Sequence, residues 1–428
     1  MKTKIVSLFI FNLLFLAITS YAQSKQVDVV TVDGIINPVV AEFLTKTIKR
    51  STEQEAECLI IQMDTPGGLD LSMRSIIKEM MSSDIPIIVY VSPGGARAAS
   101  AGAIITIAAD IAAMSPGTNI VAAHPVALGG GEMGDEMAAK VENDAAAYVE
   151  SIATKRNRNK EWAIKAVRES VSIGAQEALE KNVIDIIASD LSDLLTQIDG
   201  REIKTATGNK VLATKGSTIQ YIEMGLREKV LDTLSNPNIS YILMMVGLLG
   251  LYFELSNPGA IFPGVIGGIC LILAFFAFQT LPVNYAGILL IILSLILFIL
   301  EIKVTSFGML TVGGIIALTL GSLMLFDSSV PFARVSLDVI IPVVVITSSC
   351  CALIVLLAIK AHRRKPTTGR EGLLQAQGIT KSTLDLEGKV FIHGEYWDAV
   401  SSEPIPEGTR VEVLEVQDTI LKVKKDNK

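Results

Sequence analysis

The residues best able to do chemistry lie in two glycine-rich segments, each directly after an apolar run. The first is Asp64-Thr65-Pro66-Gly67-Gly68, after Cys58-Leu59-Ile60-Ile61-Gln62-Met63. Glycines there let the backbone turn sharply and present free N–H groups, as an oxyanion hole requires. The second is Pro93-Gly94-Gly95-Ala96-Arg97-Ala98-Ala99-Ser100-Ala101-Gly102-Ala103, after Ile85-Pro86-Ile87-Ile88-Val89-Tyr90-Val91. Its one hydroxyl, Ser100, sits where tiny residues enter an apolar helix running from Ile104 to Ala109. A serine at a helix N-terminus lies among unpaired N–H groups at the positive end of the dipole, and both favour developing negative charge. Small neighbours let a substrate approach. That setting suits a nucleophile in acyl transfer. Taken singly, the first segment is better read as an ordinary βα turn, and Ser100 as an N-cap on a closely packed helix.

Other chemistries find little support. The chain has three histidines, and no pair of its four cysteines has metal-ligand spacing, which argues against a zinc hydrolase. Cys58 is the only cysteine before residue 236, so no disulfide is expected within that portion. The net charge is −7 and basic residues form no patch, which sets nucleic acids aside.

The elements around the two segments read as an α/β domain over residues 23–235. Val27 to Val32 reads as a strand, with a turn at Asp33-Gly34. Helical periodicity runs from Pro38 to Arg50 and from Leu71 to Ser82, between the apolar runs already quoted. Strand, helix, strand in this rhythm predicts βαβ units and a parallel sheet.

The chain is 50% hydrophobic and only 19% charged, with a mean hydropathy of +0.49, so apolar residues must be concentrated somewhere. Two regions account for this. Residues 1–22 read as a cleavable signal peptide: Lys2 and Lys4, an apolar stretch from Ile5 to Ile18, then Ser20-Tyr21-Ala22 before Gln23. Residues 236–361 read as a membrane domain with five candidate spans, about Ile239–Leu255, Ile261–Leu281, Tyr285–Ile302, Phe307–Phe326 and Val339–Ala361. Glu254, Glu301 and Lys303 fall at helix ends, within reach of the interface. A cleaved signal places the α/β domain outside the cytoplasm. Five crossings then leave the C-terminus inside, where the positive-inside rule wants His362-Arg363-Arg364-Lys365. The expected location is thus the cell (inner) membrane. Residues 362–428 alternate in short strands, with turns at Glu387-Gly388 and Glu407-Gly408, and predict a small all-β barrel of OB type.

The two glycine-rich segments together resemble the ClpP–crotonase superfamily. More closely, the chain resembles the NfeD group of membrane-bound ClpP-class serine proteases over nearly its whole mature length. Thr65-Pro66-Gly67-Gly68 matches the glycine turn, and Ala98-Ala99-Ser100-Ala101-Gly102-Ala103 matches the nucleophile segment. Met114-Ser115-Pro116-Gly117-Thr118-Asn119-Ile120 matches the segment that follows, and Gly394-Glu395-Tyr396-Trp397-Asp398-Ala399 matches a signature of the NfeD tail.

The resemblance implies a Ser/Lys dyad, with Ser100 as nucleophile, Lys140 as general base, and the backbone N–H groups of Gly68 and Ala101 as oxyanion donors. Lys140 flanks the apolar stripe Met137, Val141, Tyr148, Ile152 and is the only lysine between Ser100 and Thr154. A lysine base must be neutral, which burial beside that stripe would favour. Read without the resemblance, Lys140 is a surface residue paired at i,i+4 with Glu136 or Asp144. His124 is a rival base and would need an orienting carboxylate, for which Asp185 is conceivable. No metal or cofactor is implied. The expected function is a membrane-bound serine endopeptidase acting on exported or membrane-proximal polypeptides, as a homo-oligomer. Alternatives are a non-proteolytic scaffold for a stomatin-like or flotillin-like partner and, more remotely, a crotonase-type acyl-CoA enzyme.

Overall fold

The computed structural model describes residues 25–121, 134–256, 259, 261–279, 281–304, 306, 308–326, 334–362 and 372–426. The expected signal peptide, His124 and the cluster Arg363-Arg364-Lys365 lie outside the described residues. The chain divides into two compact units, one running to Ser349 apart from residues 302–305, the other comprising those four and the chain from Cys350 on.

In chain order the strands of the first unit are β1 (Gln26–Asp33), β2 (Cys58–Asp64), β3 (Ile87–Val91), β4 (Arg97–Ala99), β5 (Ile111–Met114), β6 (Asn119–Val121), β7 (Ile173–Gly174), β8 (Ile186–Ile187), β9 (Glu202–Lys204), β10 (Asn209–Val211) and β11 (Thr218–Ile222). The helices among them are α1 (Pro38–Glu53), α2 (Asp70–Ser82), α3 (Ala101–Ala108), α4 (Asp135–Lys155), α5 (Lys160–Arg168), α6 (Ala175–Glu180), α7 (Leu191–Ile198) and α8 (Leu226–Leu234). Six strands form one sheet in the order β11-β1-β2-β3-β5-β8, every neighbouring pair parallel.

Both faces of this sheet are buried, so its strands are nearly all apolar. Leu59, Ile61 and Met63 pack with Val30, Val32, Ile87 and Val89 in a core that takes in the apolar sides of α1 to α5. Cys58 and Ile60 face the other way, with Val27, Val29, Ile88 and Tyr90, against Leu194, Leu195 and Ile198 of α7. Local chemistry sets the helix starts. The Asn37 side chain accepts the Val40 N–H at 2.9 Å and Pro38 follows it, which fixes the entry of α1. A second, three-stranded sheet, β4-β6-β7, stands beside the first. The sequence reads as running from Val91 straight into the Ser100 helix, but β4 intervenes. It is three residues long, too short for alternation to reveal.

The apolar helices that follow are α9 (Pro237–Ser256), α10 (Ile261–Phe278), α11 (Tyr285–Lys303), α12 (Met309–Met324) and α13 (Leu337–His362), the last of which leaves the first unit after Ser349. Among the described residues, Pro237–Leu255 and Ile261–Phe278 are long and apolar enough to cross a bilayer, and the other three apolar stretches are shorter. Small residues bring the helices together. A Cβ on Gly250 would meet the Pro263 carbonyl at 2.5 Å, and one on Gly321 would meet the Gly287 carbonyl at 2.8 Å. Large apolar side chains such as Phe262, Ile272 and Leu289 point outward. Glu301 differs from expectation. Its carboxylate is buried and accepts the N–H groups of Gly308 (3.0 Å) and Thr311 (2.9 Å), occupying unpaired donors at the start of α12 instead of reaching for the interface.

In the second unit, β12 (Gln377–Thr380), β13 (Glu387–Ile392), β14 (Glu395–Ser401), β15 (Arg410–Gln417) and β16 (Ile420–Lys425) close into a barrel in the order β12-β13-β14-β16-β15. This is the expected OB-like barrel, around Leu384, Val390, Ile392, Ala399, Val411, Val413, Leu421 and Val423. Glu387-Gly388 is not a turn but lies within β13. A Cβ on Gly388 would stand 2.5 Å from Leu384 Cδ2, so this glycine serves close packing.

The rear of α3 is held by two arginines. Arg158 is buried and donates to the carbonyls of Ile107 and Ala109 and, at 2.5 Å, to Asp185. Arg156 donates to the Ala108 carbonyl at 2.7 Å and pairs with Asp110. These cations take up carbonyls that a helix end leaves unpaired, at the negative end of its dipole. Burial pulls the Arg158 guanidinium below its ordinary value, with Asp185 opposing. Asp185 also accepts the Ala112 N–H at 2.7 Å through the same oxygen, Oδ2, so it holds β5 and Arg158 together. Arg158→Met is expected to destabilise the chain by about 3 kcal/mol or more, because it strands buried carbonyls and a carboxylate. Adding Asp185→Asn should restore part of that loss. Thermal unfolding of the full chain and both variants checks the pair.

Candidate active site

Ser100 stands at the junction of β4 and α3, with φ 50° and ψ −113°. A non-glycine residue in that conformation carries strain of order 1–3 kcal/mol, and such residues concentrate at functional sites. The serine side chain makes no capping hydrogen bond to α3, so the N-cap role that the sequence left open is not the one it plays. Ala103 and Ile104 donate instead to the Ser100 carbonyl, at 3.0 and 3.4 Å. The Ser100 N–H reaches the Val121 carbonyl at 3.3 Å, tying the junction to β6.

The glycine turn is stitched to this junction. The Thr65 N–H donates to the Arg97 carbonyl at 2.8 Å, and the Ala99 N–H donates to the Thr65 carbonyl at 3.0 Å. Asp64 accepts the Arg97 N–H at 3.0 Å. The Thr65 hydroxyl accepts the Gly67 N–H at 3.1 Å, tightening a turn in which Gly67 has φ 124°. Gly102 completes the join: a Cβ there would stand 2.3 Å from Thr65 Cγ2, so only glycine lets α3 come this close. Gly102 belongs to the motif read from the sequence, but its partner was invisible there.

The two expected oxyanion residues lie on the elements joined at this junction, Gly68 in the glycine turn and Ala101 at the start of α3. Ile36 bridges to Gly68 through the Gly67 carbonyl and the Leu69 N–H, each at about 3 Å, and the Gly68 N–H takes no part in that ladder. A Cβ on Gly68 would meet the Ile36 carbonyl at 2.3 Å, so no other residue fits. The Ala101 N–H opens α3 and has no intrahelical acceptor. Both expected oxyanion residues therefore belong to the same stitched assembly as Ser100.

Lys140 is not part of that assembly. Its ammonium pairs with Glu136 at 2.8 Å and its side chain is 66% exposed. The burial expected beside the apolar stripe is absent: Met137 is exposed, and α4 packs into the core only from Ala145 onward. Asp144, the other carboxylate near Lys140, is taken by Arg74 of α2 at 2.5 Å. Arg74 also lies over the Tyr148 ring at 4.3 Å and accepts restraint from Asp70 at 2.8 Å, so it clamps α4 to the helix that follows the glycine turn. Nothing in the sequence marked Arg74. Cys58 is buried, with its thiol pushed up by desolvation, and offers no second nucleophile.

Comparison with known proteins covers the whole architecture. Residues 26–207 match the NfeD1b N-terminal domain, residues 238–357 the NfeD integral membrane domain, and residues 370–425 the NfeD-like C-terminal, partner-binding domain. The chain is 31% identical to the membrane-bound protease PH1510 of Pyrococcus horikoshii, over 97% of each chain. It is 29% identical to the membrane protein NfeD1b of Bacillus subtilis, over 97% of this chain and 96% of that one. A solved structure of the 1510-N membrane protease specific for a stomatin homolog, from Pyrococcus horikoshii, is 30% identical, covers 49% of this chain and 97% of its own, and superposes with a TM-score of 0.42. With this identity sustained from the α/β domain through the membrane helices to the barrel, the chain belongs to the NfeD family of integral membrane proteins.

Proposed function

We propose that this chain is a membrane-bound serine endopeptidase in which Ser100 attacks a peptide carbonyl. The strained conformation of Ser100, at a strand-to-helix junction stitched to the glycine turn, carries the reading. The identity with a membrane-bound protease supports it. The hydroxyl oxygen adds to the carbonyl, and the tetrahedral oxyanion accepts hydrogen bonds from Gly68 and Ala101. Collapse expels the amine and leaves an acyl-enzyme, which water releases. Lys140 is the proposed base. To act, its amine must leave Glu136 and lose solvent, and a polypeptide or second subunit lying over the first turns of α4 would supply that desolvation. Substrates are polypeptides at or beyond the membrane. The barrel, matching a partner-binding domain, favours a second role as a docking module, for which a stomatin-like or flotillin-like protein is the partner to test.

Ser100→Ala and Ser100→Gly should both abolish casein cleavage and fluorophosphonate labelling of the full chain. The glycine variant should also be the more stable of the two by roughly 1 kcal/mol, since it alone relaxes the positive φ. Wild-type cleavage by either variant would remove Ser100 from the mechanism.

Lys140→Arg should be as inactive as Lys140→Ala, because guanidinium stays protonated throughout the working pH range. His124→Ala should retain most activity. An active Lys140→Arg enzyme with an inactive His124→Ala one would replace the dyad by serine–histidine chemistry.

On the proposed topology the α/β domain lies outside the cytoplasm and the barrel inside. Reporter fusions at Gln197 and after Lys428 should therefore report opposite sides. Matching sides would mean that the number of crossings is even.

A further inference from the structure

The short helix α8 has a face that nothing among the described residues covers. Leu226 is 82% exposed and Val230 49% exposed. With Thr233 they share one stripe at i, i+4, i+7 spacing. Arg227 and Lys229, both exposed, flank the stripe on its two sides. The acidic residues of the helix turn elsewhere. Glu228 reaches back to accept the Gly225 N–H at 2.7 Å, and Asp232 accepts from the Asn37 side chain at 2.7 Å. Lys229 shares an exposed ion pair with Glu223 at 2.9 Å. Leu234 is buried. An apolar stripe bordered by cations, with the helix's own carboxylates turned away from it, is the pattern of a helix lying in a lipid headgroup layer.

Chain continuity names the occupant. Only Ser235 and Asn236 separate α8 from α9, the first helix of the integral membrane domain, and α8 meets both α9 and α10. The bilayer surface therefore begins where α8 ends. The same helix is tied to the candidate site. β11 runs parallel to β1, so α8 emerges at the edge of the sheet where the strands end. There Asp232 holds Asn37, and the neighbouring Ile36 bridges to Gly68 of the glycine turn, whose Thr65 pairs with β4 just before Ser100.

We propose that α8 lies in the headgroup layer of the bilayer that the helical domain occupies, with Leu226 and Val230 toward the acyl chains and Arg227 and Lys229 toward lipid phosphates, and so holds the Gly68–Ser100 edge of the sheet at the membrane surface. This contact does not depend on proteolysis, and its test reads none.

The full chain has two tryptophans, Trp162 buried in α5 and Trp397 in the barrel, so the wild type supplies the background emission. Leu226→Trp and Val230→Trp place a probe on the stripe. Val211→Trp is the control, on an exposed position of the β9–β10 hairpin, beside the strand-starting edge of the sheet. Each is reconstituted into phosphatidylcholine–phosphatidylglycerol vesicles with and without brominated acyl chains. The added emission of Leu226→Trp and Val230→Trp should fall at least roughly twofold with brominated lipid and resist aqueous iodide. That of Val211→Trp should do the reverse. Iodide quenching at both stripe positions without bromine quenching would overturn the proposal. So would protection from both quenchers, which would assign the stripe to a protein partner.

Discussion

The candidate site depends on one close approach, that of Gly102 in α3 to Thr65 at the end of β2. A side chain of any size on residue 102 would collide with Thr65 Cγ2. Without that approach, β4 could not exchange hydrogen bonds with Thr65 while α3 begins at Ala101. With it, a strand, a glycine turn and a helix N-terminus share a small volume. Ser100 is bent into an unfavourable backbone conformation because both sides of the junction are already fixed, by the β4–Thr65 ladder before it and by the core packing of α3 after it. Strain of this kind persists only where the surroundings over-determine it.

The other end of α3 shows what that rigidity requires. The helix is eight residues long, wholly buried and without a charge of its own. Its last carbonyls would be orphaned in the core if Arg156 and Arg158 did not reach in from the loop after α4. Those cations sit at the negative end of the helix dipole while Ser100 sits at the positive end. The charge arrangement that steadies the helix therefore also leaves its N-terminus, at Ser100, positive. Glu301 in the membrane domain follows the mirror-image rule. It is a buried carboxylate placed at a helix start, where the N–H groups of Gly308 and Thr311 satisfy it. In both places a charge far from water is held by the backbone groups that a helix end leaves over.

Much of this was legible in the sequence because it rests on period and on residue size. β1, β2, β3, α1 and α2 begin and end within a few residues of where apolar runs, Asn37 and Asp33-Gly34 place them. The barrel strands follow from alternation, and the five apolar helices from composition. What stayed hidden depends on contacts distant along the chain. β4 is defined by its pairing with β6 and Thr65 and not by any pattern in three residues. Gly388 resembles a turn glycine until Leu384 is seen against it. Asp185 looks like a free carboxylate until Arg158 is found on it, and the clamp of Arg74 on Asp144 spans 70 residues. The apolar stripe of α4 was read as one continuous buried face, but only its second half meets the core.

That last difference separates the two members of the expected dyad. Ser100, Gly68 and Ala101 belong to a framework closed by backbone hydrogen bonds and glycine contacts, and it exists without substrate. Lys140 lies on the half of α4 that stands in solvent, neutralised by Glu136, while Arg74 removes Asp144 from its surroundings and fixes the helix one turn further on. The strained serine and the glycine turn are thus fixed in advance, and Lys140 is not. For Lys140 to serve as the base proposed above, its amine would first have to leave Glu136. Arg74 already clamps the same helix to α2, which follows the glycine turn, so covering the start of α4 would change the solvation of Lys140 without rebuilding the framework around Ser100.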